Sequence, residues 1–218
     1  VGATWGMISC WSAAADGYKK QGVDDALSEQ TSKTPITSGL EERENTAHIM
    51  RLRYTFTAKY GAIIEQETGK RLSGSDFLEG RNYSIGYISL KPTFSYQPST
   101  AFRANLSGTY TLKENAQNLG GEEAEIVDFG ADLRLSKIEK GTYFAQINYI
   151  TIDYVGGVNN SLSYEMLEGL QNGQNITWAA GVQRNLGKNL QLSLTYNGRK
   201  SEETRSIHTG NVQVRAFF

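Results

Sequence analysis

From Ala47 onward, apolar and polar residues alternate nearly one for one, in runs of about ten residues. Met50, Leu52, Tyr54, Phe56, Ala58 and Tyr60 share one parity, and Arg51, Arg53, Thr55, Thr57 and Lys59 share the other. The same division sets Phe102, Ala104, Leu106 and Tyr110 against Arg103, Asn105, Ser107 and Thr109. It sets Val127, Phe129, Ala131 and Leu133 against Asp128, Asp132 and Arg134, and Leu190, Leu192, Leu194 and Tyr196 against Gln191, Ser193, Thr195 and Asn197. Successive side chains of a strand point to opposite faces, so each run is a strand with one apolar and one polar face. Soluble antiparallel sheets alternate too. The length of the runs and the polarity of the second face favour strands that cross a bilayer around a polar interior.

Composition agrees. Only 39% of the 218 residues are hydrophobic, little for a chain that must fill one continuous core but enough for a barrel whose apolar residues face outward. Gly (23) and Tyr (12) are abundant and Pro (3) is scarce, which suits twisted strands with aromatic belts. The net charge of −1 gives no global attraction to nucleic acid. No run of about eighteen apolar residues is present, so no transmembrane helix is expected. The start, Val1 to Met7, lacks the charged and apolar regions of a secretory signal, and a mature or truncated form is expected. Cys10 is the one cysteine, which excludes an internal disulfide.

The pattern predicts an all-β, antiparallel up-and-down transmembrane barrel of about eight strands (8–10). The strands fall near 47–63, 81–97, 100–113, 124–138, 140–155, 174–186, 188–200 and 204–218. Tight turns at 97–100, 137–141 and 185–188 alternate with longer connections at 64–80, 114–123 and 156–173, as in outer-membrane barrels. Residues 1–46 form an N-terminal segment: a possible extra strand at 1–13, then a polar loop with room for a short helix near 22–30. Residues 47–218 form the barrel. Either 1–46 extends an eight-stranded barrel or further strands upstream complete a larger one. In the second strand the apolar parity changes from Tyr83, Ile85 and Tyr87 to Ile88, Leu90, Phe94 and Tyr96, which predicts a β-bulge near Gly86–Ile88.

The inward set carries Arg51, Arg53, Lys59, Lys91, Arg103, Asp128, Asp132, Arg134 and Arg215. Charges of both signs in a narrow interior are expected to pair as a structural plug, with a selective pore lining as the competing reading. Tyr164, Met166, Leu167 and Leu170 in the loop 156–173 form either a docking surface for another chain or a segment folded back over the barrel mouth. Ser206 and His208 share a face, as a nucleophile and base would, but no orienting carboxylate is evident and they read as polar rim residues. His48 reads as interfacial. Two histidines and one cysteine give no metal site, and no cofactor or catalytic residue is expected.

The last strand alternates into Phe217-Phe218. This ending resembles the C-terminal signal of bacterial outer-membrane proteins, and the resemblance implies that Phe218 is read by the barrel assembly machinery. Ser163–Asn175, Trp178, Tyr196–Glu202 and Ile207–Gly210 resemble the C-terminal barrel region of large, poorly characterised outer-membrane proteins of the Bacteroidota. That likeness covers about the last 60 residues. It implies a barrel in the outer membrane of a Gram-negative cell envelope, in contact with lipid and lipopolysaccharide and with other outer-membrane proteins or lipoproteins. The function expected is a structural, transport or complex-forming component without catalysis. The alternatives are a lipid-modifying barrel enzyme and a soluble ligand-binding barrel.

Overall fold

The computed structural model describes residues 4–11, 21–36, 39–75, 82–137, 141–157, 160–187, 189–202 and 204–217. They form one antiparallel sheet of eleven strands, each hydrogen-bonded to its neighbours in sequence: β1 (Thr4–Trp11), β2 (Gln21–Ile36), β3 (Gly39–Thr55), β4 (Tyr60–Ser75), β5 (Tyr83–Ser99), β6 (Phe102–Asn115), β7 (Glu123–Lys137), β8 (Gly141–Val155), β9 (Gly173–Asn185), β10 (Leu190–Ser201) and β11 (Ile207–Ala216). The fold is thus the all-β, up-and-down arrangement of an outer-membrane barrel. A short α-helix, α1 (Ser161–Met166), interrupts the β8–β9 connection.

Three strands exceed the eight counted from 47 onward: β1 falls on the extra strand offered at 1–13, and the other two have identifiable reasons. Residues 21–36, read as loop with a short helix, are β2, and β3 runs through the expected boundary at 46/47. Both faces of the outer parts of these strands are polar, because they rise beyond the apolar band, so alternation gives no signal there. The predicted strand at 47–63 is the end of β3, a tight turn at 56–59 and the start of β4; the "loop" 64–80 is mostly β4. That turn has no Gly or Pro and is closed by backbone bonds between Thr57 and Tyr60, so the parity runs through it unbroken.

Register fixes the faces. One level of the sheet runs through Leu52, Ile64, Pro92, then Gly108, Phe129, Tyr149, Ile176 and Lys200, all on the outer face. The apolar band does not follow this level. On β5 it spans Ile88–Tyr96, centred on Pro92; on β7 it spans Val127–Leu135, centred two residues beyond Phe129. On β10 it spans Leu190–Tyr196, centred at Ser193, seven residues from Lys200 (200 − 193). A slip of seven residues over the five steps from β5 to β10 is roughly 4.6 Å per strand spacing of about 4.8 Å. The strands therefore tilt about 40–45° to the band's normal, the tilt of transmembrane barrel strands. The band's residues are open to the surroundings: Phe129 is 63% exposed and Leu106 is 61% exposed. On β2–β4 the outer face turns polar sooner, and Asp25 pairs with His48 at 2.7 Å.

Aromatic rings flank the band. Toward the short-turn end Tyr60 stacks on Tyr96 at 4.8 Å, with Phe94 and Phe102 alongside. On β9–β11, Trp178, Tyr196 and His208 cluster. Gly198 is required there, since a Cβ would lie 2.2 Å from the Trp178 ring.

No bulge exists at Gly86–Ile88. The β4–β5 register is continuous from Tyr60↔Tyr96 to Ser73↔Tyr83, and the irregularity lies instead between Tyr96 and Ser99. The parity change has another cause. Tyr83 and Ile85 face the interior, where α1 makes that interior apolar.

Candidate functional site

From β3 onward the connections at one end of the sheet are short, two to four residues, and at the other they are longer (76–82, 116–122, 156–172 and 202–206); there the β8–β9 connection folds back into the interior. Asn160 caps α1 reciprocally: its Oδ1 accepts from the Ser163 backbone N at 2.6 Å, and the Asn160 backbone N donates to Ser163 Oγ at 3.1 Å. Leu162, Met166 and Leu167 then pack on Tyr83, Ile85, Ala124, Ile126, Ile152 and Tyr154, forming the hydrophobic core. Met166 is fully buried. Each such side chain contributes about 1.5–3 kcal/mol relative to exposure.

The C-terminal end of α1 has no intrahelical donors for its last carbonyls, and cations from the wall supply them. Lys113, only 5% exposed, donates from Nζ to the carbonyls of Glu165 (3.3 Å) and Met166 (3.2 Å) and to Glu168 Oε1 (2.8 Å). Arg71 pairs with Glu165 and lies 5.1 Å over the Tyr87 ring, whose hydroxyl donates to Glu67. Arg199 donates to the Gly169 carbonyl at 3.3 Å. Glu168 has φ 55°, a left-handed conformation that disfavours a side chain, yet its carboxylate meets Lys113.

Buried asparagines fasten the surrounding loops. Asn175 Nδ2 donates to the carbonyls of Gln171 (2.7 Å) and Gly173 (3.2 Å), while its Oδ1 accepts from Ser201 Oγ (2.5 Å). Asn115 Oδ1 accepts from the Ser84 backbone N (2.9 Å), and its Nδ2 donates to Glu122 (2.7 Å). Below α1 a cavity of about 280 Å³ holds Glu65, Glu67, Lys91, Asp128 and Glu168. Among the described residues no group of His, Cys, Asp and Glu is arranged to hold a metal ion.

The sequence-predicted inward residues are dispersed. Arg51 pairs with Glu65, its register partner, and Arg53 with Asp24 at 3.2 Å. Lys91 lies opposite Glu65. Asp128 lines the cavity and Asp132 lies opposite Gln146. Arg103 and Arg134 face each other near the short-turn end, and Arg215 lies opposite Gln191. Lys59 departs from the prediction: it sits in the turn between β3 and β4, because the strand that was to carry it ends at Thr55. Of the loop residues, Met166 and Leu167 are buried and Leu170 packs beside them, whereas Tyr164 is 71% exposed. His208 lies on the outer face with its Nδ1 2.8 Å from the Tyr196 hydroxyl. Phe218 lies outside the described residues.

Sequence reasoning missed Arg71, Lys113 and Arg199, the cations that hold the loop. Arg71 fell in a supposed loop, whereas Arg199 lay in the predicted strand 188–200 and continues the inward parity of Gln191–Asn197. Lys113 was accessible, since it continues the inward parity of Arg103–Thr111.

No protein-family model matches the sequence, and no curated protein matches it. Among solved structures, the chain is similar to the β domain of the Bordetella autotransporter BrkA, with a TM-score of 0.51 and 13% identity over 100% of this chain and 90% of that one. At that identity the likeness concerns the fold, the outer-membrane β-barrel.

Proposed function

We propose that this chain is an outer-membrane β-barrel of a Gram-negative bacterium that serves as a structural or complex-forming anchor, with its interior sealed at the long-loop end by α1 and without catalysis. The observation that carries the reading is the exposed apolar band running obliquely across the strands. A soluble barrel has no use for a tilted belt of exposed Leu, Phe and Ile bounded by aromatic rings. The plug favours an anchor over an open transport pore. The C-terminal tract from Ser163 to Gly210 supports an origin among the Bacteroidota proteins it resembles. Lipid, lipopolysaccharide, the assembly machinery and neighbouring outer-membrane proteins or lipoproteins are the expected partners.

The test is extraction and folding. The protein should require detergent, migrate differently on gels before and after boiling, and fold into liposomes. A monodisperse monomer purified without detergent would sink the proposal.

A further inference from the structure

The cations of the interior are not all treated alike. Arg51, Arg53, Arg71 and Lys113 each have a carboxylate partner. At the short-turn end, Arg103 on β6 and Arg134 on β7 are direct register partners on the inner face. Among the described residues neither forms an ion pair. Like charges directly opposite one another on a sheet repel. These two also border a recess of about 170 Å³, with Gln97, Thr100 and Ser136 completing its polar lining.

The Arg103 guanidinium is held in place. Its Nε and Nη2 both donate to Gln97 Oε1, at 3.0 and 2.8 Å. This bidentate grip uses one edge of the fork and leaves its Nη1 side free. A second guanidinium across the ladder and two hydroxyls then border one small space. Such planar, multi-donor sets match a tetrahedral oxyanion, whose oxygens accept several N–H bonds at once. An anion in the recess would also remove the repulsion between the two arginines.

We propose that Arg103 and Arg134, with Thr100 and Ser136, form a binding site for a phosphate-type oxyanion at the short-turn mouth of the interior. The site stands on the geometry of the inner face alone, so its failure would leave the membrane reading untouched.

The test uses the whole chain folded in zwitterionic detergent, with inorganic phosphate as the probe and chloride at equal ionic strength as the control. Phosphate should bind saturably by calorimetry and raise the thermal unfolding midpoint beyond the chloride control. Arg134→Gln should weaken that binding about ten-fold or more. At low salt without phosphate, the same variant should unfold at or above the wild-type midpoint, because a like-charge pair has been removed. Arg134→Lys, which keeps the charge but not the fork, should also bind several-fold more weakly. Arg215→Gln, another inward arginine of the same end that lies outside the recess, should bind as the wild type does. No phosphate effect beyond chloride would overturn the site. Equal losses for Arg134→Gln and Arg215→Gln, or full binding by Arg134→Lys, would also overturn it, by showing diffuse charge attraction.

Discussion

The two ends of the interior are built from the same alternating strands but solve opposite problems. At the long-loop end the inward positions include the apolar Tyr83, Ile85, Ile126, Ile152 and Tyr154, covered by a capped helix in a loop that buried polar groups such as Lys113 and Asn175 fasten in place. At the short-turn end the inward positions are mostly polar and exposed, among them Arg103, Asp132, Arg134, Gln183, Gln191 and Arg215, with the Phe144 ring beside Arg134 and no helix among the described residues over them. The first end gains stability from burial and therefore tolerates little change. The second remains wet, gains little from packing and is free to carry uncompensated charge. What a position costs when altered thus depends on its level along the strand as much as on the face it occupies.

The sharpest way to break this contrast is Met166→Asp. An unpaired carboxylate in the core under α1 should cost about 3–5 kcal/mol, read as a lower urea midpoint for folding in liposomes. A matching inward change at the open end, Gln191→Asp, should shift that midpoint far less. Equal shifts would refute the division into packed and wet ends.

Lys113→Met should cost about 2–4 kcal/mol, because it leaves two carbonyls and Glu168 without their donor. Its signature is local: protease cleavage within 156–172 should speed up while the strands stay protected. On the outer face, Leu192→Lys should cost about 2–4 kcal/mol if it lies near the bilayer centre, against a smaller effect of Ser193→Lys one residue on. Similar losses at both would contradict the assigned faces. The mildest, Asn175→Ala, removes buried bonds from the Gln171 and Gly173 carbonyls and from Ser201, for about 1–3 kcal/mol. It should raise amide exchange at the β9–β10 rim before any global unfolding is seen.

The fold class was legible wherever a strand crosses the apolar band, since there the two faces differ in chemistry. From β5 to β11 the predicted strands lie within a few residues of those observed. Legibility failed where strands leave the band. The outer parts of β2, β3 and β4 are polar on both faces, so they looked like loops. The interior was legible in kind but not in pairing: parity placed Arg51 inward, while its partner Glu65 lay in a segment not recognised as strand. The parity change in β5 was a true signal given the wrong cause. Ala124 and Ile126 on β7 and Ile152 and Tyr154 on β8 show the same inward apolar step at the same end. Taken together, the three steps mark the footprint of something packed inside, where one step alone suggests a bulge.

Strand direction adds a constraint that residue chemistry does not. Because each of the eleven strands runs against its neighbours, β1 and β11 both travel from the long-loop end toward the short-turn end. A seam joining these two edges directly would be parallel, with slanted bonds and a weaker ladder than any other in the sheet. An antiparallel seam takes an odd number of intervening strands. A single such strand would travel upward between them, apolar where it meets Val212 and Val214 and polar where it meets Asn211 and Gln213. Strand direction therefore separates two closures by their chemistry: a direct, slanted parallel seam, or an antiparallel one that requires such a two-faced strand.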